Sequence, residues 1–372
     1  MVQMHSRLLR ITIKNLLSFK DIAVELGGLN VLVGENASGK SNFLKALRLL
    51  KLLSHGSSLG DAVKSLGFSS ERDVIFSQEE NLEVLLLLEA DIDGVQYEYE
   101  LRFKPGRIVS ELLKAEGLRL IERRDASGEY LSLDERMISY SLFPGEALLG
   151  DVAKRSDVSE RIRAFHHFVE SWGFYSFEPR SIRGDAPISY SLELSYDGSN
   201  LPQVLHSLLT TERSIFMNIE DAIRSSIRGI REILLLPGDG RVQIAVREEG
   251  FRDFFRPGNI SDGTLRILAF TTALYLPSAL IGFEEPENCV HPHLLGTLMD
   301  ILRGSGKQVV ISTHSPYLLD HVEPDDVFLV TKEQGKTRIE RLAKKEQVKA
   351  VKKFLEEGGT LGEAWTAGMF ES

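Results

Sequence analysis

The chain opens with an alternating and then a continuous pattern of hydrophobic positions. Residues 8–13 and 22–26 alternate apolar and polar side chains as half-buried strands do, and 29–33 is almost entirely apolar. Hydrophobic residues then recur at helical spacing from Phe43 to Leu50. The first fifty residues therefore predict two strands, a buried strand and a helix, which is the opening of an α/β core.

The middle of the chain has a different periodicity. In VQYEYELRF, residues 95–103, every second side chain is apolar, and turns containing glycine separate this run from its neighbours. These runs predict an antiparallel β lobe over 81–145. Residues 147–172 and 201–230 have a helical pattern, and ILLLPGDGRVQIAV predicts a hairpin that turns at 237–240.

The α/β pattern returns near residue 260. Helices are predicted after Gly263, His291 and Ser315, and they alternate with the apolar strands ALIGF and QVVIST before a strand pair that turns at EQGK. We therefore predict an α/β protein whose nucleotide-binding core is split. Its predicted parts are a core formed by 1–80 and 255–372, the β lobe at 81–145, and a helical insertion at 146–254.

Composition narrows the class of protein. The 372 residues are 42% hydrophobic and no apolar run approaches the roughly 20 residues of a membrane span, so we expect a cytoplasmic protein without a membrane segment. The single cysteine, Cys289, excludes an internal disulfide and a multi-cysteine zinc site. A net charge of −10 argues against a dedicated nucleic-acid coat.

Two local basic runs leave DNA binding open. Each is either a solvated face or a surface that follows a phosphate backbone. They are Arg224, Arg228 and Arg231 at helical spacing, and Arg341, Lys344, Lys345, Lys349, Lys352 and Lys353 near the C-terminal end.

The stretch NVLVGENASGKSN, residues 30–42, matches the phosphate-binding pattern G-x-x-x-x-G-K-[ST] between a strand and a helix. Backbone N–H groups of such a loop and the N-terminus of the following helix bind phosphates. Lys40 supplies a charge to the β- and γ-phosphates, and Ser41 is a ligand for Mg²⁺. The predicted ATP-binding residues are Gly34, Asn36, Ala37, Ser38, Gly39, Lys40, Ser41 and Asn42.

Two further stretches carry acid and base groups. FEEPENCVHP places Glu284 and Glu285 at the end of an apolar strand, where ligands bind in open α/β sheets. We expect Glu284 to hold Mg²⁺ and Glu285 to accept a proton from the attacking water. His314, after the strand QVVIST, is predicted to donate to the γ-phosphate or to orient that water.

The third stretch, NISDGTLRILAF, resembles the signature loop of ABC-type ATPases. Taken in order, GENASGKS, ISDGT, FEEPENCVHP and ISTHSP resemble the motifs of bacterial RecF/SMC-like AAA-type ATPases, a group that includes the ATPase half of OLD-family proteins. The motifs cover the first fifty and about the last 115 residues. An ordinary capped helix is the alternative interpretation of SDGT.

The resemblance implies an ATP-dependent homodimer, in which Ser261, Asp262 and Gly263 of one subunit close over ATP held by the P-loop of the other. The chain departs from the family at three positions. Ala37 stands where a third glycine is common, Glu284 where aspartate usually holds the metal, and Asp262 where the residue is usually small. The substitution at Glu284 lengthens the metal-binding arm by one methylene.

The family's additional segments are not recognised in this sequence. Only 58 residues follow His314, too few for a nuclease domain, and no heptad run long enough for an extended coiled coil occurs. We therefore expect any DNA chemistry to belong to a partner, such as a separate nuclease or effector protein. The alternatives to an ATPase are an ATP-binding switch without turnover and a P-loop kinase, although a kinase leaves ISDGT unexplained.

Overall fold

The structure is a computed structural model that describes residues 6–288, 290–344, 346 and 348–370. Cys289 and Lys345, named in the sequence analysis, lie outside the described residues. The chain forms two compact units. The first contains residues 1–172 and 328–341, and the second contains 173–327 and 342–372.

The described strands are short to medium in length and occur throughout both units. In chain order they are β1 (Arg7–Leu16), β2 (Phe19–Glu25), β3 (Leu29–Val33), β4 (Val84–Ile92), β5 (Val95–Lys104), β6 (Arg107–Ala115), β7 (Leu118–Arg124), β8 (Ser127–Leu131), β9 (Met137–Ser141), β10 (Gly173–Tyr175), β11 (Ala186–Pro187), β12 (Ile230–Gly238), β13 (Arg241–Glu248), β14 (Leu280–Glu284), β15 (Gln308–Thr313), β16 (Val327–Glu333) and β17 (Lys336–Arg341).

The α-helices are α1 (Lys40–Ser54), α2 (Leu59–Ser65), α3 (Leu148–Val152), α4 (Glu160–Glu170), α5 (Pro179–Ile182), α6 (Leu201–Thr211), α7 (Arg213–Ser226), α8 (Asp262–Tyr275), α9 (Pro292–Gly304), α10 (Pro316–Leu319), α11 (Val348–Glu356) and α12 (Leu361–Thr366). Short 3₁₀ turns occur at Glu71–Val74, Phe76–Gln78, Pro257–Asn259, Pro324–Asp326 and Leu342–Lys344. Within the described residues no helix exceeds the 15 residues of α1, and none is long and apolar enough to cross a membrane.

In the first unit an antiparallel sheet has the strand order β2-β1-β4-β5-β6-β7-β8-β9. Alternation along β5 explains its orientation, because Tyr97, Tyr99, Leu101 and Phe103 are buried while the intervening polar residues are more exposed. The predicted antiparallel β structure is therefore confirmed. The N-terminal strands β1 and β2 join it because β1 pairs with both β2 and β4.

The first unit also contains the strand that precedes the phosphate-binding loop. All five residues of β3 are buried, as expected for a strand that packs on both faces. Its neighbour β16 pairs antiparallel with β17, and the pair turns at Gln334 and Gly335, which both have positive φ. Helix α1 follows β3 and packs against α4.

In the second unit β10, β14 and β15 form parallel pairs in which Phe174 lies opposite Gly282 and Glu284 opposite Ser312. A separate antiparallel sheet has the order β11-β13-β12. Helix α8 is apolar on nearly every side and packs against α5, α7 and α9. Because parallel strands end at the same edge, β14 and β15 bring their following loops together.

Most predicted elements are confirmed, with one correction. The helical pattern predicted over 201–230 ends at Ser226, and β12 begins at Ile230. Ile227, which follows the helix, is already extended, and Gly229, with φ of 91°, lies in the turn that leads into β12. The domain boundaries predicted at residues 80, 145 and 254 stay a prediction.

Candidate functional site

The phosphate-binding loop is packed closely enough to require glycine at both ends. A Cβ atom on Gly34 would lie 2.1 Å from the carbonyl oxygen of Val330 in β16. A Cβ atom on Gly39, whose φ is 117°, would lie 2.3 Å from Thr337 Oγ1 in β17. The two glycines therefore let the loop backbone lie directly against the β16–β17 hairpin.

Ala37 has a φ of 63°, a left-handed conformation in which glycine carries no steric penalty. Glu35, Asn36 and Ala37 are exposed, whereas Ser38, Gly39 and Lys40 are buried. The exposed side of the loop turns at Ala37, and the buried side leads into α1. The replacement of glycine at this position is thus accommodated with local backbone strain.

Lys40 is the first residue of α1 and is 6% exposed. Its ammonium group donates hydrogen bonds to the carbonyl oxygens of Gly34 at 2.7 Å and Glu35 at 2.8 Å. These contacts hold the charge inside the curve of the loop, where phosphate oxygens bind in P-loop proteins. The Coulomb attraction between this charge and a phosphate charge ~4 Å away is about 4 kcal/mol at an effective dielectric constant near ~20.

A hydrogen-bond network holds the loop from the side opposite its exposed face. Asn42 Nδ2 donates to Ser18 Oγ at 2.8 Å, and Ser18 Oγ lies 2.8 Å from Thr337 Oγ1. Thr337 Oγ1 in turn lies 2.6 Å from the carbonyl oxygen of Ser38. Thr337 Oγ1 is the donor toward both the Ser18 hydroxyl and the Ser38 carbonyl, and its one proton is shared between these two acceptors. We call these residues the loop brace.

The loop fits a phosphate ligand by its own geometry. Within the described part of the chain, Ser38 Oγ is buried and has no hydrogen-bond partner. A buried hydroxyl without a partner is uncommon unless a ligand or water satisfies it. Ser41, the predicted Mg²⁺ ligand, is the second residue of α1 and is partly exposed. The hydroxyl of Ser38, the charge of Lys40 and the helix N-terminus together suit a nucleoside triphosphate.

In the second unit β14 ends at Glu284, which lies opposite Ser312, and the chain turns at the next residue. Glu285 has a φ of 45°, although it precedes Pro286 and a proline restricts the preceding residue to extended conformations. Backbone strain of this kind is about 1–3 kcal/mol and concentrates at functional sites. The turn thus aims Glu285 away from the direction that a continued strand would give it.

Several contacts hold the Glu285 turn. The backbone N–H of Glu285 donates to the Ser312 carbonyl at 2.9 Å, and Asn288 Nδ2 donates to Glu285 Oε2 at 2.7 Å. Arg266 in α8 is 5% exposed, and its Nη1 donates to the carbonyl oxygens of Glu285 at 3.1 Å and Asn288 at 2.5 Å. The Nη2 of Arg266 donates to the Phe177 carbonyl. A buried guanidinium therefore fixes the backbone that carries the predicted base.

The structure brings two of the predicted catalytic residues together. His314 Nδ1 lies 3.2 Å from Glu285 Oε1, and both side chains are partly exposed. A carboxylate and an imidazole at this separation can share a hydrogen bond, which fixes the orientation of both side chains. The remaining Glu285 oxygen is held by Asn288.

Glu287 is the buried acid of this loop. Its Oε1 accepts a hydrogen bond from Thr313 Oγ1 at 2.6 Å, and the His314 backbone N–H lies 3.4 Å away. Within the described residues its Oε2 is buried without a hydrogen-bond partner. Burial raises the pKa of Glu287, while Thr313, the loop backbone and His314 oppose the rise. Glu287 therefore supports the loop after β15.

The signature stretch forms the N-terminus of α8. Ser261 Oγ accepts a hydrogen bond from the Thr264 N–H at 3.0 Å and lies 2.8 Å from Thr264 Oγ1. Asp262 is paired with Arg183, and Gly263 is half-buried. Ser261 and Asp262 are exposed. The hydroxyl of Ser261 can cap the helix with a lone pair and still donate its proton to a ligand.

The basic runs are not continuous helix faces. Arg224 lies on α7, but Arg228 follows the helix and Arg231 is on β12, so the helical spacing predicted for them is wrong. Arg224 is also paired with Glu220 and Asp221. In the second run the described residues Lys349, Lys352 and Lys353 lie on α11.

Comparison with known families is consistent with this site. Residues 29–320 match the model of the family described as "AAA domain, putative AbiEii toxin, Type IV TA system", and the chain belongs to that family. The match includes the P-loop, the signature stretch, both strand-end acids and His314. No curated protein shows significant sequence similarity.

Solved structures show the same fold. The chain is similar to a crystal structure of an SMC head bound to the C-winged helix domain of ScpA, with a TM-score of 0.60, 15% identity, and coverage of 90% of this chain and 97% of that chain. It is also similar to an SMC head with an extended coiled coil, bound to the C-terminal domain of ScpA, from Pyrococcus furiosus. That match has a TM-score of 0.56, 14% identity, and coverage of 95% and 99%. The predicted ABC-type, RecF/SMC-like ATPase fold is confirmed.

Sequence reasoning missed four residues that support the site. They are Arg266, Asn288, Thr313 and Thr337. Arg266 carried a signal, because a lone charge interrupts the apolar helix pattern LRILAF and such a residue needs a buried partner. Thr337 carried none, since a threonine in a hairpin strand is common.

Proposed function

We propose that the protein is a Mg²⁺-dependent ATPase that hydrolyses ATP within an ATP-clamped homodimer. The observation that carries this proposal is the Glu285 turn. A carboxylate on strained backbone, braced by a buried arginine and 3.2 Å from His314, is arranged for proton transfer rather than for stability. A solvated acidic strand end would need none of these supports.

The residues of the first unit bind the triphosphate in this proposal. Backbone N–H groups of the loop and the Lys40 ammonium bind the β- and γ-phosphates. Ser41 would be a ligand of Mg²⁺, which would neutralise charge on the phosphate oxygens, and Glu284, which belongs to the second unit, is proposed as the acidic residue that holds the ion. Glutamate at 284 is one methylene longer than the usual aspartate, which argues against direct ligation of the metal by its carboxylate.

Glu285 then acts as general base. It accepts a proton from water as the water oxygen attacks the γ-phosphorus and the bond to the β–γ bridging oxygen breaks, which releases ADP and phosphate. His314 orients Glu285 through its Nδ1, and its other ring nitrogen, Nε2, would contact the water or the γ-phosphate. Positioned general bases contribute roughly 10²- to 10⁴-fold in rate.

The signature stretch completes the site of a second subunit. Ser261 is exposed and its proton can be redirected to a γ-phosphate oxygen while the hydroxyl still caps α8. A helix N-terminus without a lysine of its own is suited to a phosphate that is brought to it. Two-fold symmetry makes the two contacts identical, so each dimer holds two ATP molecules.

In this proposal, the ATP-bound or ATP-free state of the chain controls its interaction with a partner protein or with DNA. The family description names a toxin and a type IV toxin–antitoxin system, and the similar SMC heads are bound to ScpA. We propose that this chain couples its ATP state to phage defence or to DNA maintenance through a separate effector, in the cytoplasm where ATP is supplied. An ATP-binding switch with negligible turnover is the second candidate, which the departure at Glu284 favours.

The test compares ATP binding with ATP hydrolysis in two variants. Lys40→Ala should lose both ATP binding and hydrolysis, because no positive side chain then balances the negative charge of the phosphates. Glu285→Gln should keep ATP binding and lose turnover by at least a hundredfold. Glu249→Gln, which changes an exposed acid of the second unit, is the control and should behave as the parent. Parental turnover in Glu285→Gln would refute the base assignment.

The same variant tests the clamp. Glu285→Gln with ATP and Mg²⁺ should sediment as a dimer at tens of micromolar, where an interface of about −6 to −7 kcal/mol is populated. A monomer under these conditions would leave Ser261 as a helix cap only. Bound ATP without phosphate release by the parent protein would favour the switch.

A further inference from the structure

A cluster of histidine and glutamate side chains lies in the first unit at the far end of the P-loop helix. His166, His167 and Glu170 are on the last turns of α4, and His55 follows directly after α1. Glu170 is three residues from His167 and four from His166, so one carboxylate lies beside both rings on the helix surface. None of these residues has a part in the proposed ATPase chemistry.

The distances match those between the ligands of one metal ion. His166 Nδ1 is 3.6 Å and His167 Nδ1 3.5 Å from the same atom, Glu170 Oε2. One ligand atom from each of the three residues lies within 4.8 Å of the other two. Tetrahedral ligands at about 2.05 Å from Zn²⁺ are separated from each other by about 3.3 Å. The two nitrogen-to-oxygen distances are therefore within about 0.3 Å of the separation expected between ligands of one ion.

The other oxygen of Glu170 is held in place. His55 Nδ1 lies 3.2 Å from Glu170 Oε1. The second carboxylate oxygen, Oε2, is the one that faces the rings of His166 and His167. The carbonyl of His55 accepts a hydrogen bond from Lys154 at 3.0 Å. Partners of this kind, which orient a ligating carboxylate, accompany most protein metal sites.

His166 is the buried histidine of the cluster. Its side chain is nearly fully buried, and within the described residues its Nε2 has no hydrogen-bond partner. Burial lowers the pKa of His166, Glu170 and the Ser54 backbone oppose this, and His167 and Lys154 add to the lowering. Either nitrogen of an imidazole can coordinate a metal ion, and a buried ring nitrogen without a partner is a group that a ligand would satisfy.

We propose that His166, His167 and Glu170 bind one divalent transition-metal ion of the Zn²⁺ class. Two imidazoles and a carboxylate form a three-residue ligand set, and water occupies the fourth position. His55, the residue that directly follows α1, orients the carboxylate of Glu170. The bound ion thereby fixes the C-terminal end of the helix whose first residue is Lys40.

Titration of the full-length, nucleotide-free protein with Co²⁺ tests this proposal. After metal removal by a chelator, the parent should bind one Co²⁺ per chain with the visible absorption of a tetrahedral site, and Zn²⁺ should displace it. His167→Ala and Glu170→Gln should each weaken binding at least tenfold. Both residues are at least partly exposed, so these variants should keep the fold, which thermal unfolding checks.

Two controls separate this cluster from other histidines. Glu160→Gln changes an exposed acid at the other end of α4 and should bind as the parent does. A double variant of His291 and His293, whose Nδ1 atoms are 2.6 Å apart, should also retain binding. Loss of binding in that double variant, or parental binding in Glu170→Gln, would overturn the proposal. Absence of any bound Co²⁺ in the parent would overturn it equally.

Discussion

Replacement of Thr337 by valine removes one hydroxyl from the loop brace and keeps the shape of the side chain. Thr337 is 2% exposed, and its Oγ1 lies 2.6 Å from the Ser38 carbonyl and 2.8 Å from Ser18 Oγ. The backbone N–H of Thr337, which donates to the Ser18 carbonyl at 2.9 Å, is unchanged by the substitution. The perturbation is therefore confined to the contact between the hairpin and the P-loop.

The expected loss follows from the groups left without a partner. Valine removes the donor that the Ser38 carbonyl and the Ser18 hydroxyl oxygen share, at about 1–3 kcal/mol for each buried group left without a partner. The two share one network, so their effects are not independent and a total of about 2–4 kcal/mol is expected. Part of this appears as a less stable fold and part as a mobile loop that binds phosphate less well.

Equilibrium unfolding and ATP titration measure the two parts. We expect the free energy of unfolding to fall by about 1–3 kcal/mol and the Kd for ATP to rise about tenfold, since a tenfold change corresponds to about 1.4 kcal/mol. Thr337→Ser keeps the hydroxyl and serves as the matched control, with ATP affinity within about threefold of the parent. Parental stability and parental ATP affinity in Thr337→Val would refute the role of the brace.

Three further outcomes test other parts of the account. Arg266→Met should lower the free energy of unfolding by about 2–4 kcal/mol and reduce kcat, because three carbonyls lose a buried donor; unchanged unfolding and kcat would contradict this. Glu287→Gln should gain stability relative to the parent as pH rises above the ordinary carboxyl range. In that range the unfolded chain loses a proton that the raised pKa of Glu287 keeps in the folded state, so the opposite slope in urea unfolding would refute the assignment. DNA binding should be weak and steeply salt-dependent, and charge reversal at Lys349, Lys352 and Lys353 should abolish it in a filter or anisotropy assay; otherwise α11 is a solvated face.

The sequence predicted local elements well because each has a local cause. The P-loop pattern between an apolar strand and a helical run specifies β3, the loop and α1 by spacing alone. The hairpin of β12 and β13 follows from turn residues between two apolar runs. The acids and His314 end successive parallel strands, so their proximity follows from the rule for strand ends.

The supports of the site could not be predicted in this way. Thr337 contacts the Ser38 carbonyl although the two lie 299 residues apart in the chain. The turn at Glu285 contradicts the local preference of a residue before proline and exists because Arg266 and Ser312 hold its backbone. Likewise the helical spacing of the Arg224 run continued past Gly229, where the chain had already left the helix.

Mixing of two inactive proteins tests the composite site most directly. Lys40→Ala removes the phosphate-binding positive charge from the P-loop of one subunit, and Ser261→Arg blocks the exposed signature stretch of the other. A mixed dimer contains one composite site with both lesions and one with neither, because each site takes its P-loop and its signature from different subunits. Each variant alone should be inactive, and the mixture should recover hydrolysis in proportion to the mixed dimers formed. A mixture as inactive as its components, with mixed dimers shown by sedimentation, would contradict hydrolysis at an independent site shared between subunits.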